Sequence, residues 1–346
     1  MVVTVTQQWG GAHVEGLLES WPVAATVAER GSPLSDENRG LIRQAMHRLT
    51  ELAGEGAPRP ARKTMHSKRP NSPPFGLFAC DFDGTLLGSD HQVSERDRRA
   101  LECLRTKGVL VVVATGRSLF SFRRAVVQEL PVDWLVFSSG AGIAQWPVCE
   151  VVHAVHLTCE ETASIGAHLE LLNAPYCVHD TIPNNHRFSY QLGRDSADLR
   201  RRIELYAPFS RPLSADRLEK EATQVIVHLE EHEAEAGCLA LREHFEDLGV
   251  IRTTSPLDHC STWVEIFPRG VSKSSGLRWL CEHLNVAPAR TGAVGNDYND
   301  LDMLEWVAHP FVVSNAAAPL RARFQVVRSH DSGGVAEAVE RWLESL

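Results

Sequence analysis

Long apolar runs are missing from this 346-residue chain: none reaches the roughly 18 residues that a membrane-spanning helix requires. The first ten residues also lack the basic start and apolar core of a secretory signal, so a cytoplasmic setting is the expectation. The eight cysteines include no Cys-x-x-Cys pair, which argues against a zinc site and against a small disulfide-stapled framework. Most of them are expected to be free thiols packed as small apolar residues. His153 and His156 stand three apart but have no carboxylate nearby in sequence to complete a zinc site. Internal repeats and low-complexity tracts are absent. So is an excess of positive charge: the formal net charge is -9. Residues 1–74 hold nine Lys/Arg against seven Asp/Glu, and residues 75–346 hold 26 against 37, a balance of -11. An acidic body of this kind is a poor match for a phosphate backbone, and neither nucleic acid nor membrane is an expected partner.

What is present divides the chain in three. Residues 1–74 form an amino-terminal extension. Ser35 to Gly54 predicts one helix, capped by Ser35 and stopped by Gly54, with Leu41, Ile42, Ala45, Leu49 and Leu52 on one face. The stretch 57–74 is rich in proline and carries Arg59, Arg62, Lys63, Lys68 and Arg69 with no acid, as an exposed linker does. Met65 is a second candidate start.

From Phe75 onward strand and helix patterns alternate. Short apolar runs at Leu77–Phe82, Val109–Ala114, Trp134–Ser138, Thr291–Gly295 and Phe311–Val313 are expected strands. Helical patterns fall between them at Ser94–Lys107, Leu119–Glu129, Ser272–Leu284 and Ala317–Phe324. Val109-Leu110-Val111-Val112-Val113 is apolar at every position, the mark of a strand covered on both faces. The fold class is therefore α/β, a parallel sheet with helices on both faces, whose ligands collect at the carboxyl ends of the strands. The rhythm breaks between about Pro147 and Pro268. That segment has strand patterns at Gln224–Leu229 and Trp263–Phe267 and helical patterns at Thr162–Leu172, Ser196–Tyr206 and Glu233–Leu248. It is too long for a loop and reads as an inserted α/β domain, which leaves 75–146 and 269–346 as the core.

The chemistry begins at Asp81 and Asp83. They follow the apolar run Leu77–Cys80, and residues two apart in extended chain point the same way, so both carboxylates lie on one side of a strand end. Gly84 allows the sharp turn out of the strand. Two adjacent carboxylates suit a division of labour in which one attacks phosphorus and the other handles the leaving-group proton. Two close negative charges also call for a cation, and oxygen ligands favour magnesium.

The segment Phe78-Ala79-Cys80-Asp81-Phe82-Asp83-Gly84-Thr85-Leu86-Leu87 resembles the first motif of the haloacid dehalogenase (HAD) superfamily. Val93-Ser94 and Val109–Arg117 resemble the Cof-type subgroup, whose members insert a large α/β cap after the third core strand. The resemblance covers residues 75–346 and none of 1–74. It implies a magnesium-dependent phosphohydrolase in which Asp81 becomes an aspartyl-phosphate. Asp83 would protonate the leaving alcohol and then activate water, while its backbone carbonyl binds the metal.

Three further stations are then expected. Thr115 and the amide of Gly116, at the end of the second strand, would hold phosphoryl oxygens at a helix amino end. Lys273, after Gly270-Val271-Ser272, would neutralise both nucleophile and phosphoryl group. It does not belong to a Walker loop, because no glycine stands five residues before a Gly-Lys pair. Gly295-Asn296-Asp297-Tyr298-Asn299-Asp300 is similar to the family's Gly-Asp-x-x-Asn-Asp but places asparagine where the first metal-ligating acid belongs. Either Asn296 ligates directly or Asp297 takes the role, with Asp300 supporting the metal and Lys273. Ser139-Gly140-Ala141 is similar to the family's Asn-Gly-Ala, and Ser138 or Ser139 is a candidate for touching substrate. In the cap, His179-Asp180 and Asn184-Asn185-His186-Arg187 are the most polar clusters, and His179, His186 and Arg187 are the candidate substrate residues. The expected activity is hydrolysis of a phosphate monoester, a sugar phosphate or similar small metabolite. A phosphomutase on the same fold and a non-catalytic binding protein on a retired core are the alternatives.

Overall fold

The structure, a computed structural model, describes residues 74–346 apart from 127, 256, 259 and 346. The helix expected between Ser35 and Gly54, and all but the last residue of the basic linker, lie outside the described residues. The chain enters the fold through β1 (Gly76–Cys80), α1 (Glu95–Thr106), β2 (Val109–Ala114), α2 (Leu119–Ala125) and β3 (Trp134–Phe137). A tight turn over Ser138–Gly140 leads to β4 (Gly142–Gln145) and β5 (Glu150–Ala154). Next come α3 (Cys159–Leu171), β6 (Tyr176–His179), β7 (Phe188–Gln191), α4 (Ala197–Leu205), β8 (Ser210–Pro212), α5 (Ala215–Leu218), β9 (Val225–Leu229), α6 (Ala234–His244), β10 (Gly249–Thr254) and β11 (Thr262–Phe267). The chain then returns through α7 (Lys273–Leu284), β12 (Thr291–Gly295), α8 (Leu301–Trp306), β13 (His309–Val313), α9 (Ala318–Arg323), β14 (Gln325–Val327) and α10 (Gly334–Glu344).

Two sheets result. The larger runs β14-β13-β12-β1-β2-β3-β4-β5, parallel from β14 to β3 and antiparallel over its last two pairings. The smaller, β10-β11-β9-β6-β7-β8, is built wholly from the inserted segment. The expected domain boundary at residue 147 falls inside the larger sheet, because β5 folds back on β4 and extends the core to Ala154. Those two strands are short and lie at the sheet edge, and so gave no separate apolar run.

The central strands are buried because helices cover both faces. All five residues of β1 are buried, as are five of the six in β2. Helix α1 starts where Ser94 accepts the Asp97 amide, as its N-cap should. The same Asp97 is itself buried and accepts the Ala336 amide at 2.7 Å, so α10 is hydrogen-bonded to the first turn of α1. The eight cysteines are free, and four of them (80, 177, 238 and 281) are buried. Among the described residues no helix is long and apolar enough to cross a membrane.

Candidate active site

Strands β1 and β12 are parallel neighbours, and the chain leaves both at the same end of the sheet. Asp81 is pinned at that exit by its amide, which donates to the Val294 carbonyl at 2.9 Å. Gly84, with φ of 73°, turns the chain away in the left-handed region that favours glycine. A methyl group there would also stand 2.7 Å from the Asn296 side-chain amide.

The carboxylate of Asp81 is almost entirely buried, and one oxygen accepts from Lys273 Nζ at 2.7 Å. Lys273 is the first residue of α7 and is fully buried. It reaches this place because Gly140 lets the turn after β3 lie directly on the start of α7: a Cβ at Gly140 would stand 2.0 Å from the Ser272 carbonyl oxygen. The ammonium also donates to Asp300 Oδ1 at 2.6 Å and Asn299 Oδ1 at 3.3 Å, which uses all three of its hydrogens. A cation at a helix amino terminus is unfavourable by itself; here two carboxylates outweigh that. Burial alone would push the ammonium down, but the charges of Asp300 and Asp81 hold it well above the ordinary lysine range. Burial pushes the Asp81 carboxyl up to about 7, with the Asp300 charge adding to the rise and Lys273 opposing it.

The second oxygen of Asp81 faces a corner made of oxygens. Asn296 Oδ1, which accepts the Thr85 hydroxyl at 3.0 Å, sits against Asp81 Oδ2 and the Asp83 carbonyl. Three acceptors facing each other need either a cation or a proton between them. With the Asn296 amide turned over, its nitrogen would donate to Asp81 Oδ2 at 3.1 Å and to the Asp83 carbonyl at 3.2 Å. With the oxygen turned in, those same separations suit neighbouring ligands of a small dication. Octahedral magnesium at about 2.0–2.1 Å from each oxygen puts adjacent ligands about 3 Å apart. Among the described residues no group of three or more His, Cys, Asp or Glu is placed to hold a metal. The donor set here is one carboxylate, one amide and one backbone carbonyl. All are hard oxygens, and they fit magnesium.

Two expected ligands stand elsewhere. Both carboxylate oxygens of Asp297 are held by Thr254 at the end of β10, at 3.0 Å from its amide and 3.1 Å from its hydroxyl. Asp300 spends one oxygen on Lys273 and the other on the amides of Asn296 and Asp297, at 2.8 and 3.0 Å. Of the acids after β12, one ties the cap to the core and one braces Lys273 and the turn. The corner itself is left to Asn296.

Thr115 is buried at the end of β2, and its carbonyl accepts the Ser139 amide at 3.0 Å. Its hydroxyl oxygen accepts the Arg117 amide at 3.1 Å, so the hydroxyl proton is free for another acceptor. Gly116 follows at the end of β2, where a Cβ would stand 3.5 Å from Ser139 Oγ and 3.7 Å from Asn299 Nδ2. Arg117 grips Asp83 through two parallel bonds, Nε to Oδ2 at 2.7 Å and Nη2 to Oδ1 at 2.6 Å. This clamp aims the carboxylate that the sequence pairs with Asp81.

The cap closes the site from above. Asn185 Nδ2 donates to Ser138 Oγ at 2.6 Å, and Ser139 Oγ donates to Glu265 Oε2 at 2.8 Å. Both serines are therefore engaged by the cap. Of the expected cap residues, His179 is buried, whereas the His186 ring stacks on Phe120 of α2 with centroids 4.1 Å apart. Arg187 is exposed, and its backbone only closes its own loop on Asn184 and Asp180. Arg117, Asn185, Glu265 and Asn299 belong to the site although the sequence reading gave none of them a role of its own. Glu265 had a signal: it is a lone acid inside the apolar strand Thr-Trp-Val-Glu-Ile-Phe. Asn185 stands in the polar cluster Asn184–Arg187, but its partner is 47 residues away and no local pattern pairs the two.

Known proteins resemble this chain in sequence and in fold. The chain is 28% identical over 286 residues to the putative phosphatase YxeH of Bacillus subtilis, covering 77% of this chain and 97% of that one. It is 27% identical over 330 residues to the chloroplastic endoribonuclease YBEY of Arabidopsis thaliana, covering 88% of this chain, but it spans only 53% of that longer protein. A solved sugar phosphatase of HAD subclass IIB superposes with a TM-score of 0.61 at 19% identity, over 77% of this chain and 98% of that one. Residues 78–339 match the model of the haloacid dehalogenase-like hydrolases, and with phosphatases among its relatives the chain belongs to that family of enzymes.

Proposed function

We propose that the chain is a magnesium-dependent phosphate monoester hydrolase, working through an aspartyl-phosphate on Asp81, with a small phosphorylated metabolite such as a sugar phosphate as substrate. One observation carries this reading. Asp81 is a buried carboxylate with one oxygen on a fully buried ammonium and the other facing a corner of hard oxygens. Such an arrangement costs stability and serves no packing purpose.

The corner of Asp81 Oδ2, the Asp83 carbonyl and Asn296 Oδ1 would hold the magnesium ion, which supplies positive charge to the transferring phosphoryl group. The chain's own groups account for the rest. An Asp81 oxygen attacks phosphorus as the ester bond breaks, and Asp83 supplies the proton that the departing oxygen takes up. Asp83, again ionised, then takes a proton from water as that water attacks the acyl phosphate and frees Asp81. Lys273 offsets charge that builds on the phosphoryl oxygens, and Thr115 donates its free hydroxyl proton to one of them. Arg117 orients the ionised Asp83, the form that takes the proton from water. The cap excludes water other than the reacting one and chooses the leaving group.

A screen of phosphorylated metabolites scored by release of inorganic phosphate tests the reading. Release is expected with magnesium present, without a bisphosphate activator, and is lost on exhaustive chelation. Unchanged activity after chelation would refute the metal assignment, and a strict need for a bisphosphate would favour a mutase.

The asparagine gives a second test. One formal charge is missing from the corner, and the amide can close it with its own hydrogens. Asn296→Asp is expected to tighten magnesium binding by about tenfold or more, because carboxylates ligate this ion more strongly than amides. The same change should lower the melting temperature of the metal-free protein, since a third carboxylate then faces Asp81. Calorimetric titration and thermal melts with and without magnesium would show both effects; equal affinity in the two proteins would remove Asn296 from the corner.

A further inference from the structure

The cap sheet has two unlike faces. One is apolar and is covered by α3 and α6, with Ile165, Leu169, Val178, Val227, Leu241 and Ile266 in its core. The other carries His179, Gln224, His228, Trp263 and Glu265, which alternate with those apolar residues along the strands. Helix α4 lays Asp198 and Arg202 on this polar side.

Arg202 is 8% exposed, yet its Nε and Nη1 have no hydrogen-bond partner. The group is held firmly in place. Its Cζ lies 4.0 Å from the Trp263 ring centroid, and Trp263 is fixed in turn by its Nε1, which donates to Asp198 at 2.5 Å. Arg202 Nη2 donates to His179 Nε2 at 3.3 Å. That direction is set by the other ring nitrogen: His179 Nδ1 lies 2.7 Å from the Asn185 carbonyl, which can only accept, so Nε2 presents its lone pair. Burial pushes His179 down to about 3, in keeping with a neutral ring.

Among the described residues no carboxylate forms an ion pair with it, and the two nearby acids are already engaged. Asp198 accepts from His228, Ser255 and Trp263 at 2.8, 2.6 and 2.5 Å. Glu265 accepts from Ser139 and Gln224 at 2.8 and 3.1 Å. An arginine keeps its charge in a protein, and because the carboxylates near it spend their oxygens on other donors, two of its buried N–H groups are left unmet, which is costly. A fixed, desolvated guanidinium with two free donors is a site prepared for an anion that the chain does not supply. Its surroundings lead to the reaction centre. Asn185, which positions His179, is bonded to Ser138 at the end of β3, and Glu265 is bonded to the neighbouring Ser139. Glu265 also lies within reach of the charges of both Arg202 and Lys273.

We infer that Arg202 anchors a second anion subsite, and that the substrate is a phosphomonoester bearing a further carboxylate or phosphate at its far end. The phosphoryl group is engaged at Asp81 while the distal anion takes the free Nε and Nη1 of Arg202. The inference rests on the phosphatase reading for the first anion only.

Binding to full-length protein carrying Asp81→Asn separates the two claims, because no turnover is required. The probes are 3-phosphoglycerate for a carboxylate, fructose 1,6-bisphosphate for a phosphate, and glycerol 3-phosphate and fructose 6-phosphate as the forms lacking the second anion. Titration calorimetry is expected to show at least one of the first pair binding about tenfold or more tighter than its counterpart. Adding Arg202→Gln should remove that preference, weakening the doubly anionic ligand by about 100-fold. The pair that shows the loss identifies the second anion. A preference unchanged by R202Q, or absent from the outset, overturns the inference. Should R202Q fail to fold, Arg202→Lys keeps the charge but loses the fork, and about tenfold weaker binding of the same ligand is expected; no change again overturns it. A preserved split in binding from a protein that releases no phosphate from any substrate would leave the subsite standing and sink the phosphatase reading.

Discussion

Asp81→Asn is expected to reduce phosphate release by on the order of 10⁴-fold or more while leaving the fold intact. The amide is nearly isosteric, its oxygen can still accept from Lys273, and the backbone bond to Val294 does not involve the side chain. What is lost is the nucleophile. The sign of the stability change makes the test sharper. Burial pushes the Asp81 carboxyl up to about 7, well above the ordinary carboxylate range. A group whose folded pKa is raised stabilises the fold below its unfolded pKa, and that contribution fades as pH rises through the folded value. Above pH 7, therefore, ionised Asp81 is a burden on the metal-free fold, and a neutral asparagine relieves it. The variant should melt at or above the wild-type temperature at pH 8 without magnesium, yet be inactive. Near-wild-type turnover would end the nucleophile assignment. A large loss of stability at pH 8 would show that the carboxylate is structural.

The core was legible in the sequence because it is built from local patterns. The continuous apolar run of β2 ends where expected, and Ser94 and Ser272 cap the helices that follow them. Asp81, Thr115 and Asn296 converge because each follows a strand in one parallel sheet, whose geometry brings the carboxyl ends together, and Lys273 joins them at the start of the helix by which the chain returns from the cap. What the sequence left open, or pointed to elsewhere, has a different cause. Asp297 and Asn296 are adjacent, and only the turn decides which faces the corner; the structure gives Asp297 to Thr254, 43 residues away. Arg187 looked site-like by composition but points its polarity at solvent, whereas Arg202, in the midst of a charged helix, is the buried one. Strand β10 gave no signal, since each of its residues is only half-buried and no alternation results. Periodicity reports how an element meets a core. It does not report which polar side chain will meet another across a domain seam.

Lys273→Met tests the electrostatics of the site as a unit. Lys273 is a single buried ammonium between two buried carboxylates, at 2.7 and 2.6 Å. Methionine fills a similar volume but leaves Asp81 and Asp300 facing each other without a cation. Breaking a buried pair in this way costs about 3–5 kcal/mol, a large share of the roughly 5–15 kcal/mol that holds a domain folded. The cost must depend on pH. Lys273 is what opposes the upward push on Asp81, so removing it raises that carboxyl further. A proton can then stand in for the lost cation, and by the same linkage the stabilisation it gives fades as pH rises. The deficit of Lys273→Met against wild type should be modest near pH 5.5 and largest at pH 8, measured by urea or thermal unfolding in the presence of chelator. Adding Asp300→Asn removes the second uncompensated charge and should recover much of the loss at pH 8 without restoring phosphate release. Equal deficits at both pH values would mean that Lys273 contributes packing rather than charge, and its place opposite Asp81 would then need another explanation.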